Sequence, residues 1–169
     1  MVGSAKYEVV RKLDKVEIRR YPSLVTARVC GEDEGFDILF RFITGKNSQK
    51  VKVKMTAPVV SERIEMTTPV MSDASCIAFV MPEKYRLETT PKPVDERVKV
   101  TKVNDRFVAA LRFSGRWSDS NFNAKSKELL EELAQAKVKT KGGVFTMLYN
   151  APFTPWFMRR NEVAIEVEI

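Results

Sequence analysis

Histidine is absent from this 169-residue chain, and its absence excludes more chemistry than any other feature of the composition. Without imidazole there is no Ser-His-Asp or Cys-His nucleophile system and no imidazole ligand for a metal ion. Lysine, carboxylate or tyrosine chemistry stays open, but no cluster combines such groups with a glycine-rich phosphate loop or with paired acids at helical spacing. We therefore expect a binding protein rather than an enzyme, with no catalytic residue and no metal site.

Cysteine is almost as scarce, because Cys30 and Cys76 are the only two. They lie far apart in the sequence and outside any CxxC pattern, so we expect two core cysteines rather than a disulfide framework or a zinc site. The chain also lacks a run of about 18 apolar residues, and residues 1–6 lack the apolar stretch of a secretory signal. No membrane span and a cytoplasmic location are therefore expected.

The overall composition indicates one globular domain. Hydrophobic residues make up 44% of the chain and charged residues 30%, which excludes disorder of the whole chain. Lysine and arginine number 29 against 22 acids, and the net charge of +7 favours anionic partners. Lysines at positions 46, 50, 52 and 54 form a basic stretch. Because no aromatic residues are interleaved with them, nucleic acid is not the favoured partner.

Periodicity predicts strands that alternate with two helices. The predicted strands cover residues 7–20, 24–30, 51–55, 76–81, 98–103, 107–113, 145–149 and 162–169. Gly142 and Gly143 are expected to break the chain before the strand at 145–149.

The first helix is predicted from Phe36, Leu39, Phe40 and Ile43, with Gly45 as its stop. Among these, Leu39 and Ile43 are expected in the core, whereas a core role and a ligand-binding role are equally open for Phe36 and Phe40.

The second helix is predicted over residues 118–136, capped by Ser118 or Asp119. Its apolar face contains Phe122, Leu129, Leu130 and Leu133.

Two repeats are visible in the sequence. Met55-Thr56-Ala57-Pro58-Val59 recurs as Met66-Thr67-Thr68-Pro69-Val70, where each proline marks an edge or a bulge. On a larger scale, Arg28-Val29-Cys30-Gly31 before the first helix parallels Arg112-Phe113-Ser114-Gly115 before the second. The sequence therefore predicts an internally duplicated α+β domain over residues 1–169. Its pseudo-repeats cover about residues 6–82 and 96–169, and its curved, barrel-like antiparallel sheet carries two main helices.

Five motifs together resemble the SOUL family of haem-binding proteins, in order from about Tyr7 to Ile169. They are residues 35–47 (GFDILFRFITGKN), 54–59 (KMTAPV), 79–82 (FVMP), 112–115 (RFSG) and 159–163 (RRNEV). The resemblance implies a non-enzymatic domain that binds haem or another tetrapyrrole in a shallow apolar groove. The same architecture is similar to the effector-binding domains of multidrug-sensing transcription regulators.

The resemblance also implies the site residues. Phe36 and Phe40 would face the porphyrin, and Arg41 would meet a propionate, for which its planar fork is suited. The loop Ala151–Met158, with an unusually high apolar density, would form the opposite wall. The residues implied in this wall are Phe153, Trp156, Phe157 and Met158.

Because no histidine is present, the iron would have no histidine axial ligand. Any protein ligand would have to be Met55, Met158, Cys30 or Tyr149. The implied ligand is then a small planar hydrophobic molecule bearing carboxylates.

Other interpretations stay open. In one alternative, the domain is an effector-sensing or protein-interaction module for another flat, cationic molecule, with Asp33, Glu34 or Glu162 facing the pocket. In another, Trp156 and Phe157 plug the end of the barrel. An ion-pair network of Arg159, Arg160 and Glu162 is favoured over a ligand role for these three residues.

Overall fold

The computed structural model describes residues 3–64, 74–150 and 153–169, and these form two α-helices and ten β-strands. The helices are α1 (Gly35–Ile43) and α2 (Asp119–Gln135). The first five strands are β1 (Gly3–Ser4), β2 (Glu8–Lys12), β3 (Val16–Tyr21), β4 (Leu24–Cys30) and β5 (Thr56–Ile64). The other five are β6 (Ala74–Val80), β7 (Lys99–Val103), β8 (Arg106–Phe113), β9 (Lys139–Leu148) and β10 (Asn161–Glu168).

The chain forms two compact units. Unit 1 combines the start of the chain through Ala5 with Ser23–Asn104. Its antiparallel sheet has the strand order β5-β6-β4-β7, and β1 pairs in parallel with β5. Helix α1 packs on β4 and β6. The core of unit 1 is made by apolar residues of α1, β4 and β6, together with Val53, Met81 and Val98.

Unit 2 combines Lys6–Pro22 with Asp105–Ile169. Its sheet is antiparallel throughout, in the order β2-β3-β8-β10-β9. Helix α2 packs on β8, β9 and β10. Because side chains alternate along a strand, Val16 and Ile18 face the core of this unit with Leu111, whereas Glu17 and Arg19 lie on the opposite sheet face.

The predicted duplication is visible in the topology. In unit 1 the chain runs β4-α1-β5-β6, and the last strand of this run pairs with the first. In unit 2 it runs β8-α2-β9-β10 with the same pairing. Each sheet is then extended by a strand from the other half of the sequence, because β7 pairs with β4 and β3 pairs with β8.

The two helices begin and end close to the predicted residues. Ser118 caps α2, because its Oγ accepts a hydrogen bond from the backbone N–H of Asn121 at 3.2 Å. Leu129 and Leu133 are buried as predicted. The prediction is wrong for Leu130, which is 41% exposed because it lies one position beyond the face that contacts the sheet.

Three of the expected local structures are wrong. The single strand expected over residues 7–20 is interrupted at residues 13–15, and its two parts, β2 and β3, pair with each other in antiparallel register. Residues 51–55 do not form a strand; Val53 instead donates its backbone N–H to the Ile43 carbonyl at 2.6 Å, and the Asn47 amide donates to the carbonyl oxygens of Phe42 and Val51. Gly142 does not break the chain either, because it lies inside β9. Its φ of +75° coincides with a shift in the β9–β10 register, and glycine tolerates such a bulge.

The expectation of two separate cysteines is also wrong. Cys30 and Cys76 form a disulfide, with their Cα atoms 4.1 Å apart. The antiparallel register of β4 and β6 places the two residues directly opposite each other. Sequence spacing gave no sign of this pairing because 46 positions separate the two residues.

The first copy of the proline repeat lies in β5. The β5–β6 register shifts between Thr56 and Val59, which confirms the bulge expected at Pro58. The second copy, at Met66–Val70, lies outside the described residues.

Candidate functional site

Helix α1 presents two aromatic rings on the side away from the core. Its buried residues include Leu39 and Ile43, as predicted, and Phe42. Phe36 and Phe40 remain 40% and 47% exposed, with nearly parallel rings whose centroids are 6.2 Å apart. Two exposed rings one helical turn apart form a flat apolar surface, which is typical of a ligand contact rather than of a core.

The rings of this surface are anchored at one end. The Phe36 ring contacts the edge of the buried Phe79 ring, with a centroid distance of 5.2 Å. Arg41 follows Phe40 in the last turn of α1 and is exposed. Its Nε donates to the Asp37 carbonyl oxygen at 3.4 Å, which is a weak contact that leaves the guanidinium able to bind an anion.

The second predicted surface lies in unit 2, in the segment before β10. Phe153 is 90% exposed, and the 3₁₀ turn Trp156–Met158 exposes all three of its side chains by 49% to 65%. The rings of Trp156 and Phe157 meet edge to face at 5.5 Å. These four residues, which we call the tip, are a concentrated apolar surface on this unit. Ala151, at the start of the predicted loop, lies outside the described residues.

The backbone of the tip is held by polar contacts. The Gly115 N–H donates to the Trp156 carbonyl at 3.1 Å, and the Nε of Arg159 donates to the Thr154 carbonyl at 2.9 Å. The Arg159 guanidinium also lies over the Trp117 ring, 4.3 Å from its centroid. These contacts therefore fix the backbone of the segment that carries the exposed rings.

The structure brings the predicted residues together as two sets. Phe36, Phe40 and Arg41 lie on α1 in unit 1, and the tip lies in unit 2. A cavity of about 470 Å³ in unit 1 is lined by residues of the 87–101 segment, and a cleft of about 140 Å³ in unit 2 is lined mainly by basic residues. None of the predicted site residues lines either of them.

Sequence reasoning missed a buried polar cluster in unit 2. The guanidinium of Arg19 donates to both carboxylate oxygens of Glu162, at 2.8 and 2.5 Å. Both residues are buried, and Arg160 also donates to Glu162 at 3.3 Å. The predicted pairing of Arg160 with Glu162 is thus confirmed, whereas Arg19 was not anticipated, because 143 positions separate it from Glu162.

The pair changes the proton affinities of its members. Burial by itself opposes the ionised form of Glu162, but the hydrogen bonds and charge of Arg19 outweigh it and hold the pKa of that carboxyl below its ordinary value. The charge of Glu162 likewise raises the pKa of Arg19 despite its burial. Both groups therefore stay charged across the physiological pH range.

A phenol completes this cluster. The guanidinium of Arg160 lies 4.0 Å from the Tyr149 ring centroid, and the Tyr149 phenol interacts electrostatically with Glu162. Burial, together with the negative charge of Glu162, raises the pKa of the Tyr149 phenol well above its ordinary value. The phenol thus remains a neutral donor at neutral pH.

The four candidate iron ligands differ in whether their ligand atom is accessible and chemically free to bind iron. Cys30 is oxidised in the disulfide, so it offers no thiolate. Tyr149 is a partly buried neutral phenol, and Met55 packs against the core of unit 1. Only the Met158 thioether, 65% exposed on the tip, is both free of such constraints and accessible.

The three acids considered for a cationic ligand, Asp33, Glu34 and Glu162, differ in whether their charge is already compensated. Glu162 is already bound by Arg19 and Arg160, so its charge is compensated inside unit 2. Asp33 and Glu34 are exposed just before α1.

Within the described residues, neither helix combines the length and the apolar character that a membrane crossing would need.

A family model described as SOUL heme-binding protein matches residues 2–166. Heme-binding protein 2 from Mus musculus is 26% identical over 170 residues, which cover 89% of this chain and 80% of the mouse protein.

Solved structures with this fold are more distant in sequence. The EcmrR C-terminal domain superposes with a TM-score of 0.66 at 9% identity, covering 96% of this chain and 98% of that domain. A hydrolase from Listeria innocua gives a TM-score of 0.62 at 11% identity, covering 91% and 92% of the two chains. At such identities the likeness concerns the fold, and it bears out the predicted similarity to effector-binding architectures.

Proposed function

Because this chain belongs to the SOUL heme-binding protein family, we propose that it binds haem or a related tetrapyrrole without catalysing a reaction. The observation that carries the proposal is the exposed pair of parallel rings, Phe36 and Phe40, on a helix whose other face is core. A planar macrocycle buries apolar area against such a pair, and burial of apolar area is the main favourable term in binding.

The residues present fit the two ends of such a ligand. The ring pair suits the apolar macrocycle, and Arg41 beside it suits a propionate, which its guanidinium can bind through two hydrogen bonds. The four residues of the tip are proposed as further contacts and are tested separately. Bound iron would supply redox and ligand-binding chemistry of its own, whereas the chain's residues bind and orient the macrocycle.

We propose further that binding needs no axial ligand from the protein. Histidine is absent from the chain, and among the four candidate ligands described above the accessible one is the Met158 thioether. Affinity then rests on apolar contact and on propionate pairing. The expected consequence is that hemin and iron-free protoporphyrin IX bind with similar affinities.

The first experiment is a hemin titration followed through the Soret band. Each ring is a little less than half exposed, so covering it contributes about 1 kcal/mol, roughly half the value for a fully buried phenylalanine. The variant Phe36→Ala/Phe40→Ala should therefore weaken binding about 30-fold. Leu130→Ala is the control, because it removes a similarly exposed apolar side chain from α2.

Two further comparisons test Arg41 and the tip. Arg41→Gln should weaken the binding of hemin but not that of its dimethyl ester, because the ester has no carboxylate to pair. Trp156→Ala/Phe157→Ala should weaken both ligands alike if the tip contacts the macrocycle. Unchanged affinity in the Phe36→Ala/Phe40→Ala variant would contradict the α1 site.

The comparison of hemin with iron-free protoporphyrin IX tests the proposal that no protein side chain binds the iron. Hemin that binds tenfold more tightly than protoporphyrin IX, with the difference lost in Met158→Ala, would show that the thioether is an axial ligand. Binding of a cationic dye such as ethidium, with hemin ignored, would favour the effector-sensing alternative. The compensation of Glu162 by Arg19 and Arg160 is the reason that we prefer the anionic ligand.

A further inference from the structure

A basic cleft lies on the sheet of unit 2, on the face opposite the one that packs against α2. Its volume is about 140 Å³. It is lined by Tyr7, Lys12, Lys15, Glu17, Arg19, Ala110, Arg112 and Arg160. Five of these eight residues are cationic and one is acidic. An arrangement with this balance attracts anions.

Strand register explains how the charges meet. Glu17 of β3 lies opposite Ala110 of β8, and Arg112 of β8 lies opposite Glu162 of β10. Since side chains alternate along each strand, these residues share one face of the sheet. The small side chain of Ala110 leaves room among the longer ones around it.

Most carboxylates near the cleft are already bound. Arg19 contacts both Glu162 and Glu17, the latter at 3.1 Å, and Lys15 pairs with Glu128 at 3.0 Å. Within the part of the chain that the structure describes, no carboxylate pairs with Lys12 or Arg112, and both are exposed. Among the described residues, two cations at the cleft thus have no ion pair of their own, because the acids opposite them in the sheet, Glu17 and Glu162, already pair with Arg19.

Arg160 supplies a second, independent observation. It lines the cleft, and its Nη2 donates to the Tyr7 hydroxyl at 3.0 Å and to Glu162. Its Nε is buried and has no hydrogen-bond partner among the described residues. A buried donor without an acceptor is rare and unfavourable, so an acceptor atom supplied by a ligand would satisfy it.

The size of the cleft limits the ligand. Its volume of about 140 Å³ equals that of about five water molecules at roughly 30 Å³ each. Pockets for whole drug-sized molecules start at about 300 Å³. The cleft therefore suits a single compact charged group rather than a macrocycle.

From these observations we propose that the cleft is a second binding site, separate from the tetrapyrrole site, for the phosphate group of a small molecule. A phosphate carries about two negative charges and several acceptor oxygens, which match the two cations without an ion pair and the buried donor of Arg160. Arg112 and Lys12 contact the anion from the exposed side, and Arg160 contacts it from the buried side.

The experiment is calorimetric titration of the full chain with inorganic phosphate, pyrophosphate and citrate, in a buffer without other multivalent anions. Pyrophosphate should bind in a saturable manner, and Lys12→Gln/Arg112→Gln should weaken it at least tenfold. The control is Arg20→Gln/Lys139→Gln, which removes the same charge from exposed positions of the same sheet. Both substituted pairs are exposed, so melting temperatures close to the wild type should show that each variant folds.

Each result decides the proposal. Saturable binding of phosphate or pyrophosphate that the control variant retains would support it. It would be overturned by an absence of binding at millimolar anion, or by equal losses in both variants, which would indicate general attraction to a basic protein. Binding of citrate alone would overturn the phosphate assignment. Competition between pyrophosphate and hemin would show one shared site, whereas persistence of pyrophosphate binding in Phe36→Ala/Phe40→Ala would separate the two.

Discussion

Glu162→Gln should destabilise the protein far more than its small change in size suggests. The side chains of Arg19 and Glu162 are 3% and 0% exposed, so removing the carboxylate charge leaves the buried guanidinium with only the partly exposed Glu17 as its ionic partner. Breaking a buried ion pair by removing one partner costs about 3–5 kcal/mol. Two charge-assisted hydrogen bonds at about 1.5–3 kcal/mol each give a similar value.

The measurement is equilibrium unfolding in urea. A loss of about 4 kcal/mol lowers the urea midpoint by about 2 M for a protein of this size. Glu166→Gln is the matched control: Glu166 lies on the same strand and sheet face, but its ion pairs with Arg106 and Lys141 are longer and its side chain is 29% exposed. Its loss should be about 1 kcal/mol or less. Equal losses in the two variants would refute the argument.

A double variant separates the unpaired charge from lost packing. Arg19→Met/Glu162→Gln should be more stable than Glu162→Gln alone, because the buried guanidinium charge that has lost its buried carboxylate partner is then removed as well. If the double variant is the less stable of the two, packing of the guanidinium against the Tyr7 ring, 4.2 Å away, contributes more than its charge costs.

The same pair predicts a dependence on pH. The pKa of Glu162 lies below its ordinary value of 4.5 in the folded protein. The ionised carboxylate therefore stabilises the fold at pH values above 4.5, and this stabilisation is lost as the pH falls through the folded pKa. The free energy of unfolding of the wild type should consequently fall more steeply below pH 4.5 than that of Glu162→Gln, as urea titrations at a series of pH values would test.

Three other predictions concern the helices and the disulfide. Reduction should lower the free energy of unfolding by about 2–4 kcal/mol, because the Cys30–Cys76 disulfide closes a long loop; the control is Cys30→Ala/Cys76→Ala, which has no cysteine to reduce, and equal stability of the wild type with and without reductant would contradict the disulfide. Leu39→Ala should cost about 2–5 kcal/mol because the side chain is fully buried, whereas Phe40→Ala should change stability by less than about 1 kcal/mol; equal melting temperatures would show that the faces of α1 are misassigned. Ser118→Ala should cost about 1 kcal/mol through loss of the α2 cap, and thermal unfolding without a shift would argue against the cap.

Features that depend on near neighbours in the chain were predictable. The start of α2 at Ser118, the extent of α1, the bulge at Pro58 and the duplicated order of elements all follow from local periodicity, capping and proline chemistry. The membership of a haem-binding family was likewise visible in the motifs along the chain.

The candidate site was predictable only in part. The apolar spacing on α1 could not distinguish the core face from the exposed face, since Phe36, Phe40 and Phe42 are equally apolar. Packing against β4 and β6 buries Phe42 and leaves the other two rings outside. The basic cleft gave no sequence signal, because its residues come from strands that are distant in the chain.

Local signals in the chain are therefore sufficient for both helices and for most of the strands, and the composition excludes imidazole chemistry. Only the tertiary structure decided that Cys30 meets Cys76 and that Arg19 meets Glu162. Both pairs depend on strand register, and register is set by the packing of whole strands rather than by any signal near the residues themselves.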